Sequence, residues 1–132
     1  MSSLKVDTIQ NRSGGAVTLT KQEAFKHYVH YNHISDTVVK SFNLSSVNDD
    51  AAGEYTVTMQ NAMNDINYVI LASCNFEADG QSDARFNHSL NRDNSTGNEV
   101  APTTTAYKVG TDDDSGNADL KYCYSAVAGD LA

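Results

Sequence analysis

The sequence predicts an all-β protein, an antiparallel β-sandwich of jelly-roll type with an extended N-terminal arm. Its composition favours strands, because Val, Thr, Ser, Asn and Asp are abundant while Glu and Leu, which fill helices, are few. Apolar and polar residues alternate in short segments, and clusters of Asn, Asp, Ser and Gly separate these segments. Helical periodicity is absent between them, so we expect no more helix than single turns at 51–53 and 61–64.

The clearest strand lies at 53–59, where Tyr55, Val57 and Met59 share one side and polar residues occupy the other. This alternation is typical of a strand with one buried face. Residues 67–76 are apolar at alternate positions and partly apolar at the intervening ones. We therefore expect that strand to be more central in its sheet, with both of its faces covered.

Five weaker segments complete a prediction of seven strands. Polar clusters such as 48–50 and 111–117 separate them, and the single proline, Pro102, precedes one of them, where its missing N–H costs little. Many short strands without intervening helices favour two packed antiparallel sheets. The five segments are 24–31, 37–44, 84–90, 103–109 and 120–128.

The chain of 132 residues divides into an arm and a body. Residues 24–132 contain the strand segments, whereas residues 1–23 contain two very short alternating segments with too little apolar surface to form a core. We expect the arm to be ordered by burial on a neighbouring molecule; the alternative is a disordered tail. The apolar side chains available for such burial are Leu4, Val6, Ile9, Val17 and Leu19.

Charge and hydropathy argue against several classes of partner. The chain carries 17 acidic and 9 basic side chains, a net charge of −8, so we expect no binding to nucleic acid or to anionic membranes. The sequence has no run of 18 apolar residues and no secretory signal at its start, so we expect synthesis and folding in a cytoplasm. In that reducing compartment, Cys74 and Cys123 are expected to be small buried hydrophobic side chains rather than a disulfide.

The sequence predicts no enzymatic activity and no cofactor, since it lacks the phosphate-loop, nucleophile-elbow and zinc-protease motifs. His27, His30 and His33 recur every third residue, but on a strand such positions alternate between the two faces. Ordinary surface histidines are therefore the expectation, and a metal site built by three subunits is the alternative. The acidic run at 112–117 lacks the spacing of a calcium loop and is expected to be a solvated turn.

A long polar stretch at 77–101 is the candidate recognition surface. It is rich in Asn, Asp and Ser and is interrupted by apolar side chains, a composition found in loops that carry binding functions. The alternative is a structural loop with one irregular strand. We expect most of the seven tyrosines to serve as core or interface residues rather than as a sugar platform. The candidate receptor-facing residues are Asp79, Arg85, Phe86, His88, Asn91 and Arg92.

Short motifs follow one another along the chain at Ser3–Ile9, Gly15–Gln22, Ser41–Val47, Gly53–Thr58, Ala62–Met63, Asn67–Tyr68 and Pro102–Thr105. In order and spacing, this series resembles a family of small tail-fibre and related virion proteins of marine bacteriophages, especially cyanophages. Two departures from the family pattern stand out. Asn64 replaces a proline, and His27–Tyr31 replaces a stretch that usually carries Trp, Val, Asn and Phe. The stretch at 77–101 is not covered by the resemblance.

The resemblance implies a non-enzymatic structural protein of the virion, a short tail fibre, tail appendage or adaptor, that forms a homotrimer. We expect this trimer to form through the N-terminal arm and one sheet face. It implies that the N-terminal arm attaches to other virion proteins of the tail or capsid, and that the β-rich body projects outward. The location is then the virion, after synthesis in the host cytoplasm. Two alternatives stay open: a capsid decoration or head-fibre protein, and a receptor- or glycan-binding module that contacts the host surface through 77–101.

Overall fold

The computed structural model describes residues 25–75, 87–93, 96–112 and 116–130. These residues contain eight β-strands and no helix. The predicted all-β fold is therefore confirmed, while the arm at 1–23 lies outside the described residues. The strands are β1 (Phe25–Asn32), β2 (Thr37–Phe42), β3 (Leu44–Ala51), β4 (Glu54–Met59), β5 (Val69–Asn75), β6 (Asn87–Leu90), β7 (Ala106–Asp112) and β8 (Tyr122–Ala128).

Two four-stranded antiparallel sheets pack as a sandwich. Sheet 1 has the strand order β2-β1-β8-β5, and sheet 2 has the order β3-β4-β7-β6. The first strand pairs with the last in sheet 1, and β4 pairs with β7 in sheet 2, so late strands lie beside early ones as they do in jelly-roll sandwiches. The strands β2 and β3 form one edge of each sheet and pair with β1 and β4, respectively.

The core lies between the two sheets and is built from alternate residues of the central strands. The core also contains a polar contact between the sheets. The hydroxyls of Tyr107 on β7 and Ser125 on β8 share a buried hydrogen bond of 2.7 Å. This bond connects sheet 2 to sheet 1 directly. The buried hydrophobic residues are Val29, Tyr31, Tyr55, Val57, Met59, Met63, Tyr107, Val109, Leu120, Cys123 and Val127.

The sequence prediction missed β3, and the polar cluster at 48–50 lies inside this strand rather than in a turn. Leu44 and Val47 are partly buried against the core, and all the other residues of β3 are exposed. As an edge strand, β3 is held by its pairing with β4, in which Val47 lies opposite Val57. Polar and charged side chains are common on edge strands, so its composition could not be distinguished from that of a loop.

Two tight connections replace the helical turns expected at 51–53 and 61–64. Residues 52 and 53 form the turn between β3 and β4, where Gly53 has a φ of +69° and its carbonyl accepts a hydrogen bond from Thr111 N at 2.7 Å. Near 61–64 the chain is irregular, and Met63 N donates to Thr104 O at 2.7 Å. Hydrogen bonds to other segments stabilise both connections, so neither forms the local bonds of a helix.

The chain crosses from sheet 1 to sheet 2 at Asn43, between β2 and β3. Its φ of +55° is left-handed, a conformation that asparagine tolerates better than most residues. Its side chain is held on both sides, since Nδ2 donates to Lys26 O at 2.9 Å and Oδ1 accepts from Asn61 N at 2.7 Å. Pairing with β1 ends at this corner, which is why β2 stops at Phe42 and not at residue 44 as predicted.

Candidate interaction surface

The outer face of sheet 1 carries large apolar side chains that are exposed. Val69, Leu71 and Phe42 are 57%, 51% and 52% exposed, respectively. The strand register makes the surface continuous, because Tyr28 lies opposite both Phe42 and Ala126, and Ala126 lies opposite Leu71. We call this surface the aromatic face; it comprises Tyr28, His30, Lys40, Phe42, Val69, Leu71, Tyr122, Tyr124 and Ala126.

Ring contacts between neighbouring strands order the aromatic face. The His30 ring lies 4.5 Å from the Tyr124 ring and 6.1 Å from the Tyr122 ring, measured between centroids. Tyr28 and Phe42 stack with centroids 5.9 Å apart. Side chains held in this way lose little further conformational entropy when a partner binds. A groove of about 440 Å³ lies on the face and is lined by Tyr28, His30, Lys40, Leu71, Ser73 and Tyr124.

The outer face of sheet 2 is polar by contrast. There Lys108 Nζ lies 2.6 Å from Glu54 Oε1 and 3.2 Å from Asp50 Oδ2. Burial opposes the charge of Lys108, but its hydrogen bonds to Glu54 and Asp50 prevail and raise its pKa. Burial also opposes the charge of Asp50, and hydrogen bonds from Thr56, Asn48 and Lys108 prevail and lower its pKa. The two outer faces of the sandwich therefore differ in chemistry.

Charge is distributed unevenly between the aromatic face and the rest of the molecule. The whole chain has a net charge of −8. Yet the outward positions of β1, β2, β5 and β8, all within the described residues, hold no Asp or Glu. Lys40 lines the groove, and Lys121 at the margin places Nζ 5.6 Å from the centre of the Tyr122 ring. The aromatic face is thus an apolar surface with basic side chains and no acidic ones.

The expectation that the 67–76 strand is central in its sheet is wrong, because β5 ends the strand order of sheet 1. The expectation that both of its faces are covered is wrong for the single chain as well. The inward side of β5 packs partly on the core through Ile70 and Cys74, while Val69 and Leu71 on its other side are exposed. Apolar residues on both sides of a strand predict that both sides are buried in the functional protein. They do not predict whether the same chain or another molecule buries each side. This second apolar side was the sequence signal that could have identified the aromatic face.

The histidines alternate between faces as predicted, but the expectation of surface histidines is wrong for His27 and His33, which are buried. His27 Nδ1 donates to Asn43 O at 3.1 Å, and its ring meets the Tyr107 ring at an angle of 75° with centroids 5.7 Å apart. Burial lowers the pKa of His27 and outweighs its hydrogen bonds to the backbone. A neutral imidazole with one satisfied nitrogen can therefore occupy the core.

His33 lies just after β1 and bridges two acidic side chains. Its Nε2 is 3.2 Å from Asp49 Oδ1 and 3.4 Å from Asp119 Oδ1. Asp119 Oδ1 also accepts a hydrogen bond from Gly53 N at 2.7 Å, so the cluster joins three separate segments. Among the residues that the structure describes, no group of three or more His, Cys, Asp or Glu side chains is arranged to hold a metal ion. A metal site shared between subunits stays an alternative to the prediction of no metal.

Most of the predicted attachment and recognition residues fall outside the described parts of the chain. Asn91 is described; it has a left-handed φ of +54°, donates from its N–H to Lys108 O at 2.9 Å and accepts from Val100 N at 2.7 Å. Asn91 is therefore a structural corner, and the exposed Arg92 beside it pairs with Glu99 in an isolated β-bridge. The other predicted residues lie outside the described parts of the chain, as does the side chain of His88. They are Leu4, Val6, Ile9, Val17, Leu19, Asp79, Arg85 and Phe86.

The tyrosines divide between the core and the aromatic face. Tyr31, Tyr55 and Tyr107 are fully buried, as expected for core residues. Tyr68 is half-buried; its hydroxyl donates to Thr103 O at 2.8 Å, and burial raises its pKa to about 12. The remaining tyrosines, Tyr28, Tyr122 and Tyr124, are 37%, 36% and 43% exposed, and all three belong to the aromatic face.

Comparison of the chain with protein-family models, with curated proteins and with solved structures finds no match. The resemblance to phage tail-fibre proteins therefore stays a prediction from the sequence motifs. In the part of the chain that the structure describes, no helix is long and apolar enough to cross a lipid bilayer.

Proposed function

We propose that this chain is a non-enzymatic structural protein of a bacteriophage virion, a short tail fibre, tail appendage or adaptor, which forms a homotrimer through its aromatic face. The exposed apolar surface of sheet 1 is the observation that carries the proposal. Strands lie about 4.8 Å apart and rise about 3.4 Å per residue, so a face of four such strands measures roughly 20 Å on each side. The largest contiguous apolar patch on a soluble monomer measures about 300–600 Å² and is often functional, so a face of this size is a reasonable interaction site.

The charges favour a second copy of the chain as the molecule that covers the aromatic face. A two-fold dimer with face against face brings Lys40 and Lys121 toward the same basic residues of its partner. In a ring, the aromatic face instead contacts a different surface of the next copy. The other surfaces carry the excess of acidic side chains, which includes Asp49 and Asp119, 40% and 37% exposed, respectively. Contacts between different surfaces close into rings where the rotation between copies allows it, and a trimer, which the motifs imply, is one such ring.

The sequence motifs support the assignment to a virion. In this proposal the arm at 1–23 attaches to a tail or capsid protein through its apolar side chains, and the sandwich projects from the particle. The polar outer face of sheet 2 suits contact with solvent, and a net charge of −8 per chain favours colloidal stability of that exposed surface. No reacting substrate is needed for this role.

Light scattering on purified protein tests the self-association. We expect the wild type to have three chain masses and Leu71→Asp to be a monomer, because a carboxylate on the apolar interface is desolvated without a partner. Leu71 is 51% exposed in the single chain, so this variant should keep the wild-type circular dichroism spectrum. Thr58→Asp, which adds the same charge to the outer face of sheet 2, should remain a trimer. A monomeric wild type at micromolar concentration, or a trimeric Leu71→Asp variant, would contradict the proposal.

Deletion of residues 1–23 tests the attachment to the particle. The truncated chain should fold and should no longer be incorporated into phage particles, and normal incorporation would rule out an anchoring role for the arm. A reconstruction of the intact particle then distinguishes a tail position from the capsid positions of a decoration or head-fibre protein.

A further inference from the structure

Cys74 and Cys123 lie directly opposite each other on neighbouring strands. The antiparallel register of β5 and β8 pairs them. Both side chains are on the inward side of sheet 1, where Cys74 is partly buried and Cys123 is 1% exposed. Both are thiols in the structure. They are far apart in the sequence, and only the pairing of β5 with β8 brings them together.

We propose that Cys74 and Cys123 form a reversible cross-strand disulfide when the folded protein meets an oxidising small disulfide. Directly opposed residues of an antiparallel pair have Cα atoms about 4.5 or 5.5 Å apart, and disulfides join Cα atoms about 4.4–6.8 Å apart. The Cβ atoms of such pairs are about 4.5–5.5 Å apart and must approach to about 3.8 Å. Among the described residues, β8 is the only strand that pairs with β5, so β5 can make this shift without displacing a described strand on its other side.

The reaction is a thiol–disulfide exchange with an oxidant such as oxidised glutathione. The thiolate of Cys74, the more accessible of the two residues, attacks one sulfur of the oxidant and expels one glutathione thiolate. The Cys123 thiolate then attacks the Cys74 sulfur of this mixed disulfide and expels the second glutathione thiolate. Two protein thiols are oxidised, one small disulfide is reduced to two thiols, and the protons lost by the cysteines are taken up by the two leaving thiolates.

The surroundings of the pair make the exchange slow at neutral pH. Burial, reinforced by the charge of Asp112, raises the pKa of Cys74 to about 11. Burial, with a further contribution from Cys74, raises the pKa of Cys123 to about 12. Tyr55 faces Cys123 from sheet 2, and burial raises its own pKa well above the usual value, so it stays neutral. Since the thiolate is the reacting form, closure should accelerate about tenfold per pH unit between about pH 7 and pH 9.

Formation of the disulfide would join β5, at the end of the strand order of sheet 1, covalently to β8 within the sheet. The chain between the two cysteines forms a long loop, and a disulfide that closes a long loop stabilises the fold mainly by restricting the unfolded chain. A reducing cytoplasm keeps such a pair as thiols, and an oxidising medium closes it. The two sulfurs face the core, so the proposal does not depend on the trimer or on the role of the aromatic face.

The experiment treats the reduced, folded protein with oxidised glutathione at about pH 8 and then unfolds it in guanidinium chloride, so that buried thiols become reactive. Remaining thiols are blocked with iodoacetamide, and the intact mass is measured. We expect the loss of two hydrogen atoms, no alkylation and a single chain mass without reductant. The thermal midpoint should rise by about 5 °C or more and return to its original value with dithiothreitol. Cys74→Ser removes the partly buried partner and leaves the core cysteine in place, so this variant should show no such rise.

Three outcomes would overturn the proposal. In the first, the wild type that was treated with oxidant in its folded state still takes up two alkyl groups once it is unfolded. In the second, only a glutathione adduct forms and persists on one cysteine. In the third, the oxidised product consists of chains linked to each other. A Cys74→Ser variant with the same rise in thermal midpoint as the wild type would show that the stabilisation has another cause.

Discussion

His27 Nδ1 donates a hydrogen bond of 3.1 Å to the backbone carbonyl of Asn43. The bond joins a central strand of sheet 1 to the residue at which the chain crosses to sheet 2. It also places the imidazole proton on Nδ1, and Nε2 has no hydrogen-bond partner among the described residues. Because His27 is fully buried, a second proton on Nε2 would be a charge without an acceptor.

The free energy of unfolding should therefore decrease as the pH falls below about 6.5, the ordinary pKa of histidine. Burial lowers the pKa of His27 in the folded chain, whereas the unfolded chain keeps the ordinary value. Between these two pKa values the unfolded chain binds the additional proton, so acidification favours unfolding by up to about 1.4 kcal/mol per pH unit. Urea denaturation at a series of pH values from about 7.5 to about 5 measures this slope.

His27→Leu isolates the contribution of this residue. The variant lacks the titrating group, and the Asn43 carbonyl keeps a second donor, Gln60 N at 3.1 Å. The variant keeps the other three histidines, so the difference between the two slopes belongs to position 27. The slope of the variant should be shallower than that of the wild type, and equal slopes would show that folding leaves the pKa of His27 unchanged.

Asn43 should be among the positions most sensitive to substitution. Asn43→Gly keeps the left-handed φ of +55° but loses the side-chain bonds to Lys26 and Asn61, which should cost about 2–3 kcal/mol. Asn43→Ala loses the same bonds and also strains the backbone, so it should cost about 1 kcal/mol more. Chemical denaturation of the pair measures both effects. An alanine variant as stable as the glycine variant would show that the corner relaxes to another conformation.

The sequence predicts the strands that bury one face. It does not predict structural features that depend on residues far apart in the chain. β4 shows its alternation in the sequence, whereas the polar edge strand β3 has no such pattern. The burial of His27 and His33 was missed because the oxygens that satisfy them, on Asn43 and Asp49, come from other segments. The same reasoning applies to the aromatic face and to the pair of cysteines. Each is assembled by strand pairing, which neither composition nor periodicity specifies, although the second apolar side of β5 was one sequence signal for the aromatic face.

The hydrogen bond between Tyr107 and Ser125 should stabilise the packing of the two sheets. Both hydroxyls are buried, so Tyr107→Phe or Ser125→Ala leaves the remaining hydroxyl without its 2.7 Å partner. Each single variant should lose about 1–2 kcal/mol, and the double variant should lose less than the sum, with a coupling of about 1 kcal/mol. Urea denaturation of the four proteins gives the coupling directly. Strict additivity would mean that the two hydroxyls have other partners of equal strength.

Gly53→Ala should destabilise the sandwich far more than Gly97→Ala. The two glycines have nearly the same φ, +69° and +73°, so backbone strain contributes about 1 kcal/mol to each substitution. A Cβ at Gly53 would lie 2.3 Å from Thr111 O and 2.6 Å from Ala118 N, which are backbone atoms in a paired segment. A Cβ at Gly97 would lie 3.3 Å from the exposed side chain of Arg92, which can move. We expect a loss of about 3 kcal/mol or more for Gly53→Ala and about 1 kcal/mol for Gly97→Ala, and equal losses in thermal unfolding would contradict the close approach at the β3–β4 turn.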